Sequence, residues 1–345
     1  MARQQHLQAV TQWITAAALQ HGPRLPDHLV ERLQISRRSA LALLNKLVAA
    51  QWLQRADGRR RNALFRPGTL RQVVQRYPLA GLHEDLPWQR DFAPFLDLPP
   101  HVARMAQHAF TELLNNAVDH SGGSQVTVSV RQTPLHLQLL VSDDGVGVFG
   151  RIQQDFAIAD ATLAMLELAK GKLTSTPERH SGHGLFFTSR LADIFDLHAN
   201  HRAFQYRGWD RRSWHTAKAV PRNGTSIYVA IALDTQRTLD QVLRAHSADG
   251  AGYGFEATSV PLQLITGSNT ALDSRAQAKR VASRLQRFRR AEVDFSGINE
   301  VGHGFADELF RVFAREHPAV ELVPLGMAPR VAAMVDSVRV AALAA

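Results

Sequence analysis

Residues 101–123 read HVARMAQHAFTELLNNAVDHSGG, and this stretch decides the fold of the central part of the chain. Its apolar residues recur three and four positions apart, which predicts one amphipathic helix. Glu112 and Asn116 are four apart and therefore project from the same face of that helix. A carboxylate beside an amide suits magnesium-phosphate chemistry, because the amide oxygen is a ligand for Mg²⁺ and the carboxylate can activate an attacking hydroxyl. In isolation, the same pair is more typical of a solvated helix surface. The apolar positions are Val102, Met105, Ala106, Ala109, Phe110, Leu113, Leu114 and Ala117.

Two alternating stretches, QVTVSVRQ and LHLQLLVSDDGVGVF, follow this helix and predict two strands. The second runs directly into Asp143-Asp144-Gly145-Val146-Gly147, which fits the pattern D-x-G-x-G. Glycines allow the backbone to approach a ligand closely, and an aspartate at a strand end can accept a hydrogen bond from an adenine amino group. An ordinary Asp-Gly turn explains this motif equally well when it is taken alone.

A second glycine motif stands further along the chain, in HSGHGLFFTSRLADIF. Gly182 and Gly184 lead into an apolar helix, where backbone N–H groups and the helix dipole favour phosphate oxygens. Gly224 and Thr225 then open the strand GTSIYVAIAL. The order of these pieces is more specific than any one of them.

This order resembles the ATP-binding domain shared by histidine kinases, anti-sigma-factor kinases, gyrase and mismatch-repair ATPases, known as the Bergerat or GHKL fold. The resemblance covers about residues 75–235 and implies an α/β sandwich that binds ATP and Mg²⁺. It implies that Glu112 activates the nucleophile, that Asn116 holds Mg²⁺, and that Asp143 reads adenine with Thr225 nearby. The glycines implied to shape the nucleotide site are Gly145, Gly147, Gly182 and Gly184.

The segment between the two glycine motifs, roughly 150–181, forms a mobile ATP lid in this family. It contains Lys170, Lys172 and Arg179, and we predict that Lys172 binds phosphate. A solvated lysine on the lid is the simpler alternative for each of these positions.

The net charge of +9 is concentrated at the start of the chain. Residues 1–70 hold eleven Arg and Lys residues against three acidic residues, a net charge of +8. Such a compact basic module is the usual electrostatic footprint of nucleic-acid binding, although a solubilising surface would have the same composition.

Periodicity predicts three helices at about 4–20, 26–34 and 37–51, followed by a hairpin that turns at Asp57-Gly58. This order resembles a winged helix-turn-helix domain over residues 1–70, whose third helix enters the major groove. Some winged helices bind proteins instead, and that alternative stays open. The candidate DNA contacts are Arg37, Arg38, Arg55, Arg59, Arg60 and Arg61.

Beyond residue 250, strand-like and helix-like stretches alternate, which predicts an α/β unit over 250–345. The stretch VDFSGINEVGHGFADELFRVF resembles STAS-like domains related to anti-sigma-factor antagonists. Phosphorylatable members carry Ser or Thr where His303-Gly304 stands here, and Ser296 is typical of a turn. The resemblance therefore implies a surface that contacts a partner protein or the chain's own ATP-binding domain, rather than a phosphorylation site.

Together these features predict an α/β multidomain protein: a winged helix, then a Bergerat α/β sandwich, then a STAS-like α/β domain. The predicted function is an ATP-binding, slowly hydrolysing regulator that couples its nucleotide state to DNA binding and transcription control. The alternatives are a histidine or serine protein kinase of anti-sigma-factor type acting on a partner protein, and an interaction protein without turnover. We expect a cytoplasmic protein with no membrane segment, and a homodimer is left open. The chain has no cysteine, which excludes disulfides and cysteine nucleophiles.

Overall fold

The computed structural model describes residues 9–55, 64–174, 182–210, 214–247, 249–266 and 271–343. Residues of the predicted wing turn, among them Arg59, Arg60 and Arg61, lie outside these ranges, as does Arg179.

The first module consists of three helices and a two-stranded antiparallel sheet, in the predicted order. Ser36 begins the third helix as an N-cap, because its side-chain oxygen accepts a hydrogen bond from the Ser39 backbone N–H at 3.1 Å. The module has its own apolar core. Its assignment as a winged helix stays a prediction. The elements are α1 (Ile14–His21), α2 (Leu25–Leu33), α3 (Arg37–Ala49), β1 (Leu53–Arg55) and β2 (Phe65–Pro67).

A seven-stranded sheet forms the centre of the molecule, with the strand order β3-β4-β5-β9-β6-β7-β8. All neighbouring strands in it are antiparallel. β3 begins at residue 71, before the predicted domain boundary at 75. The strands are β3 (Arg71–Pro78), β4 (Gln125–Gln132), β5 (His136–Asp143), β6 (Ile194–Ala199), β7 (Arg202–Arg207), β8 (Trp214–Ala217) and β9 (Thr225–Ala232).

Helices pack on this sheet, and the longest of them is the helix predicted from residues 101–123. It buries the eight apolar side chains that the sequence pattern selected, so the prediction of its inner face is confirmed. A short helical segment over 85–95 packs Trp88 and Phe92 against Phe110 of this helix, with ring centroids 5.3 Å apart in both pairs. The helices are α4 (Pro100–His120), α5 (Val148–Phe156), α6 (Ala161–Lys170) and α7 (Gly184–Leu191).

The C-terminal unit contains a parallel sheet in the order β10-β11-β12, with helices between the strands. The predicted alternation is therefore confirmed. The apolar and polar periodicity of residues 273–288 is typical of one helix, but α10 ends at Ala282 and Arg284 follows with a φ of 64°. The elements are α8 (Leu239–Arg244), β10 (Ala257–Pro261), α9 (Gln263–Thr266), α10 (Arg275–Ala282), β11 (Arg290–Asp294), α11 (His303–Asp307, continued by a π-helical turn over Glu308–Phe313), β12 (Glu321–Leu325) and α12 (Pro329–Leu343).

One apolar core runs without interruption from the seven-stranded sheet into the C-terminal unit. These two parts are thus packed as neighbours with shared buried residues, whereas the first module has a separate core. Within the described ranges, no helix has both the length and the apolar composition that crossing a membrane requires.

Candidate functional site

Two neighbouring central strands, β5 and β9, bring Asp143 and Thr225 together where β5 ends and β9 begins, which we call the strand edge. Asp143 ends β5 and Thr225 begins β9. The backbone N–H groups of Gly145 and Thr225 donate to Asp143 Oδ1 at 2.9 and 3.1 Å. Burial raises the pKa of the Asp143 carboxyl, and these two N–H donors oppose that rise. Asp143 lines the cavity, and these two bonds hold its side chain in one orientation.

Helix α4 contributes Glu112 and Asn116 to the lining of a cavity beside this strand edge. The Asn116 Nδ2 atom is buried, and no described residue forms a hydrogen bond with it. A buried amide N–H group without a protein acceptor is unusual, because an unmade hydrogen bond costs about 1–3 kcal/mol. The Asn116 NH2 group is therefore a donor for which an oxygen atom of a bound ligand can supply the missing acceptor.

The D-x-G-x-G loop joins the end of β5 to the start of α5 and packs against Ser121, the residue that follows α4. A Cβ atom on Gly145 would lie 2.1 Å from the backbone oxygen of Ser121, so only glycine allows this approach. Gly145 does not line the cavity, whereas Gly147 does. Both glycines are predicted to shape the nucleotide site: Gly147 borders the cavity, and Gly145 holds the loop against the end of α4, the helix that carries Glu112 and Asn116.

The second glycine motif lies directly against the carboxylate of Glu112. α7 begins at Gly184, and a Cβ atom there would lie 2.2 Å from Glu112 Oε2. Gly182, with a φ of 68°, also lines the cavity. The start of α7 and the face of α4 thus meet at one end of the cavity, while Asp143 and Thr225 lie at its strand edge.

Apolar and polar side chains divide the cavity wall. Val141, Ile152, Phe156 and Ile227 provide an apolar surface near Asp143 that suits a flat ring. Leu113, Ala117, Val148, Leu168, Leu173 and Leu185 also line the cavity. The polar and charged lining residues are Glu112, Asn115, Asn116, Asp119, His120, Ser121, Asp143, Arg151, Asp155, Thr174, His183 and Thr225.

The sequence analysis missed the contribution of α5. Arg151 and Asp155 line the cavity and form an ion pair of 3.0 Å, one helical turn apart. A signal for them was present, because a helix that starts directly after a ligand-facing loop points its first turns at the same cavity.

Lys172, which the sequence predicts to bind phosphate, does not line the cavity. Its ammonium group donates to the backbone oxygen of Arg287 at 2.8 Å and lies 4.4 Å from the centre of the Phe288 ring. Lys170 is equally remote from the cavity, because it is buried and donates to Glu167 and to the Ser283 backbone. Both lysines are thus directed toward the C-terminal unit by partners more than a hundred residues along the chain.

Two histidines, His101 and His108, precede Glu112 on the same helix α4. His101 Nε2 forms a hydrogen bond with the Thr235 backbone oxygen at 2.8 Å. Burial lowers the pKa of His108. Neither histidine lines the cavity.

Among the described residues, no group of three or more His, Cys, Asp or Glu side chains could hold a metal ion.

Comparison with protein families identifies two parts of the chain. Residues 101–235 match the model described as histidine kinase-, DNA gyrase B-, and HSP90-like ATPase. Residues 101–235 form a GHKL-type ATPase domain. Residues 277–332 match a STAS-like domain of unknown function. A search of curated proteins found no match.

The sheet of the GHKL domain extends beyond the matched range, because β3 is its first strand. The STAS-like domain likewise begins earlier in the structure, at β10. Its helix α11 begins at His303, with Gly304 following, so the hydroxyl of phosphorylatable relatives is absent from these two positions. Ser296 lies in the turn after β11, where its N–H donates to Asp294 Oδ1 at 2.9 Å.

Proposed function

We propose that the GHKL domain binds ATP with Mg²⁺ and hydrolyses it slowly, and that the nucleotide state controls DNA binding by the first module. The observation that carries the nucleotide proposal is the convergence of Glu112, Asn116 and Asp143 on one cavity. These side chains come from two elements, α4 and β5, and the two glycine motifs surround them.

The adenine ring fits the strand edge of this cavity. The second oxygen of Asp143 can accept a hydrogen bond from the adenine amino group, and the apolar wall of Val141, Ile152 and Ile227 can cover the ring faces. Guanine carries a carbonyl oxygen at the position of that amino group, so an ionised Asp143 would repel it. This arrangement favours ATP over GTP.

The triphosphate fits the opposite end, where α7 begins beside Glu112. Backbone N–H groups at Gly182–Gly184 and the dipole of α7 favour phosphate oxygens there. Asn116 would hold Mg²⁺ through its side-chain oxygen, and the bound ion would neutralise charge on the phosphates. Glu112 would orient the attacking water and accept its proton.

Replacing Asp143 by asparagine should weaken ATP binding by about tenfold to a hundredfold, because a hydrogen bond to a charged group contributes about 1.5–3 kcal/mol. The preference for ATP over GTP should shrink at the same time. Calorimetry with ATP, ADP and GTP in the presence of Mg²⁺ measures both effects.

Asp144→Asn is the matched control, because it removes the same charge one residue along. Asp144 binds Ser124 and Gln125 at the start of β4 and does not line the cavity. Nucleotide selectivity should survive in this variant. Equal loss of selectivity in both variants, or no ATP binding by the wild type, would refute the assignment.

DNA binding by the first module is supported by charge and exposure. Arg37 and Arg38 lie at the start of α3, the third helix, and both are exposed. Arg37 also pairs with Asp27 of α2, which orients it. Arg55 bonds to Asn45 of α3, at the base of the two-stranded sheet. This arrangement places positive charge where a recognition helix would meet a phosphate backbone.

Log affinity falls as log salt concentration rises. The double variant Arg37→Gln/Arg38→Gln should make this negative slope shallower by about 2, one unit per lost phosphate contact. The measurement is DNA binding by the full-length chain at several salt concentrations, with and without ATP. Arg289→Gln/Arg330→Gln removes two exposed charges from the STAS-like domain and should leave the slope unchanged. Similar slopes for the two variants would show that net charge, not α3, drives binding.

A further inference from the structure

A phenylalanine just before β10 lies between the STAS-like domain and the nucleotide cavity. Phe255 is 6% exposed, and its ring contacts rings from both sides. Its ring centroid lies 4.5 Å from that of Phe186 and 5.0 Å from that of Phe187, both in α7. It lies 5.4 Å from the ring centroid of Phe288, which precedes β11. Phe255 therefore connects the helix of the second glycine motif with the core of the STAS-like domain.

The Phe255 ring also contacts Gly171, which directly follows α6, and His183, which directly precedes α7. On one side, Gly171 has a φ of 77°, and a Cβ atom there would lie 2.6 Å from the Phe255 ring. On the other, the His183 ring meets Phe255 edge-on, with centroids 4.7 Å apart. Burial and the nearby ammonium of Lys172 lower the pKa of His183 to about 4, so this ring packs as a neutral group near pH 7.

These two stretches also contact each other. The N–H of Lys172 donates to the Gly182 oxygen at 2.9 Å, and a Cβ atom on Gly182 would lie 2.7 Å from the Leu173 backbone nitrogen. Residues 173–174 and 182–184 all line the nucleotide cavity. A displacement of Phe255 would therefore move the cavity wall at two places, next to Gly171 and next to His183. These two stretches are also bonded to each other.

We propose that Phe255 is a positioning residue for the nucleotide: it holds residues 171–174 and 182–184 in place, so that the STAS-like domain sets how fast the nucleotide leaves. This inference rests on the proposed binding of ATP. Phe255 touches the walls of the site and not the cavity itself, since it is absent from the lining.

Polar contacts keep the two domains attached when the ring is removed. Arg284 donates to the Gly171 oxygen at 3.3 Å, and Arg287 donates to the Lys172 oxygen at 3.2 Å. The loss of the ring should therefore loosen the cavity wall without separating the domains.

Stopped-flow release of a fluorescent ATP analogue from the full-length chain tests this inference. Phe255→Leu should release the analogue about tenfold faster than the wild type, with an unchanged association rate, since affinity changes within one site fall mainly on the dissociation rate. Phe255→Met has about the volume of the leucine variant but a longer and more flexible side chain that fills irregular gaps, and it should show a smaller increase.

Phe310→Leu is the matched control. Phe310 is 4% exposed, packs against Phe295 inside the STAS-like domain and does not line the cavity. Both leucine variants should lower the melting temperature, but only Phe255→Leu should accelerate release. Equal release rates in the two variants would overturn the positioning role.

Hydrogen exchange on the wild type gives a test that needs no variant. Coupling between two sites is reciprocal, so bound ATP analogue should slow amide exchange in β10 and around Phe288. β12 lies at the far edge of the same sheet and serves as the internal reference. A chain that binds the analogue without this difference refutes the role of Phe255 and leaves the proposed function standing. A chain that does not bind the analogue refutes both.

Discussion

Replacing Glu112 by glutamine is expected to slow phosphate release from ATP by about 10²–10⁴-fold, the usual contribution of a general base. Binding of ATP should change little. Glutamine has nearly the same shape as glutamate, so the close contact with Gly184 at the start of α7 can be kept. What the variant loses is the carboxylate that can accept a proton from water.

Three measurements on the full-length chain isolate this effect. Phosphate release reports turnover, calorimetry reports ATP affinity, and γ-labelled ATP reports any transfer of phosphate to protein. Label on the chain or on an added partner protein would favour the kinase alternative, in which Glu112 prepares a protein acceptor. Release of free phosphate alone favours hydrolysis.

Asp155→Asn removes a negative charge from the same cavity without removing the proposed base. Asp155 is on α5, where it pairs with Arg151. Its turnover rate should stay within about threefold of the wild type, since an exposed pair of this kind contributes at most about 1 kcal/mol. If Glu112→Gln and Asp155→Asn reduce turnover equally, the charge of the cavity is responsible and the base assignment fails.

The parts of the site that could be predicted are those whose function depends on spacing within one element. Glu112 and Asn116 lie on one face of α4 because helical geometry places residues four apart together. The inner face of α4 followed from the same geometry. Asp143 and Gly147 were predicted because a strand that ends in a glycine-rich turn leaves little choice of conformation.

The sequence pattern did not predict β3 as a strand, and the burial of its residues explains why. Along Arg71–Pro78 only Val73 and Tyr77 are buried, and charged or amide side chains occupy much of the remainder. The first module covers part of this edge strand, since Thr15 accepts a hydrogen bond from the Gln72 N–H at 3.1 Å. Because another module covers part of β3, polar side chains on this strand are half-buried, and its sequence lacks the regular alternation of apolar and polar residues that predicts a strand.

Lys172 shows what local patterns cannot supply. Two lysines near glycines in a nucleotide-binding segment suggest phosphate contacts, and the sequence contains nothing that argues otherwise. Their partners, the backbone oxygens of Ser283 and Arg287, belong to the STAS-like domain. Packing between domains therefore decides the direction of these side chains, and a pattern within one segment cannot predict it.

Lys170→Met is expected to lower the free energy of unfolding by about 3–5 kcal/mol, because it leaves the buried carboxylate of Glu167 without its closest partner. The side chains of Lys170 and Glu167 are 1% and 5% exposed, and their ion pair measures 2.5 Å. Burial lowers the pKa of Lys170, and the neighbouring carboxylate opposes this change. Arg284, 3.4 Å from the other oxygen of Glu167, can compensate only in part.

Urea unfolding of the full-length chain, followed through the transition of the shared core, measures this loss. Lys279→Met is the control, since Lys279 is 70% exposed and its pair with Glu308 measures 3.7 Å. Lys279 is exposed although Glu308 is only 10% exposed, so the loss of this longer pair should cost about 1 kcal/mol, less than the loss of Lys170.

The double variant Glu167→Met/Lys170→Met distinguishes a buried unpaired charge from a simple loss of contacts. Two methionines of similar volume remove both charges, but Arg284 then loses its carboxylate partner, so stability should recover only in part relative to Lys170→Met. A double variant less stable than Lys170→Met alone would mean that the ion pair itself holds α6 against the STAS-like domain. Recovery would instead show that apolar packing in the shared core joins these domains, with the charges specifying how α6 is oriented.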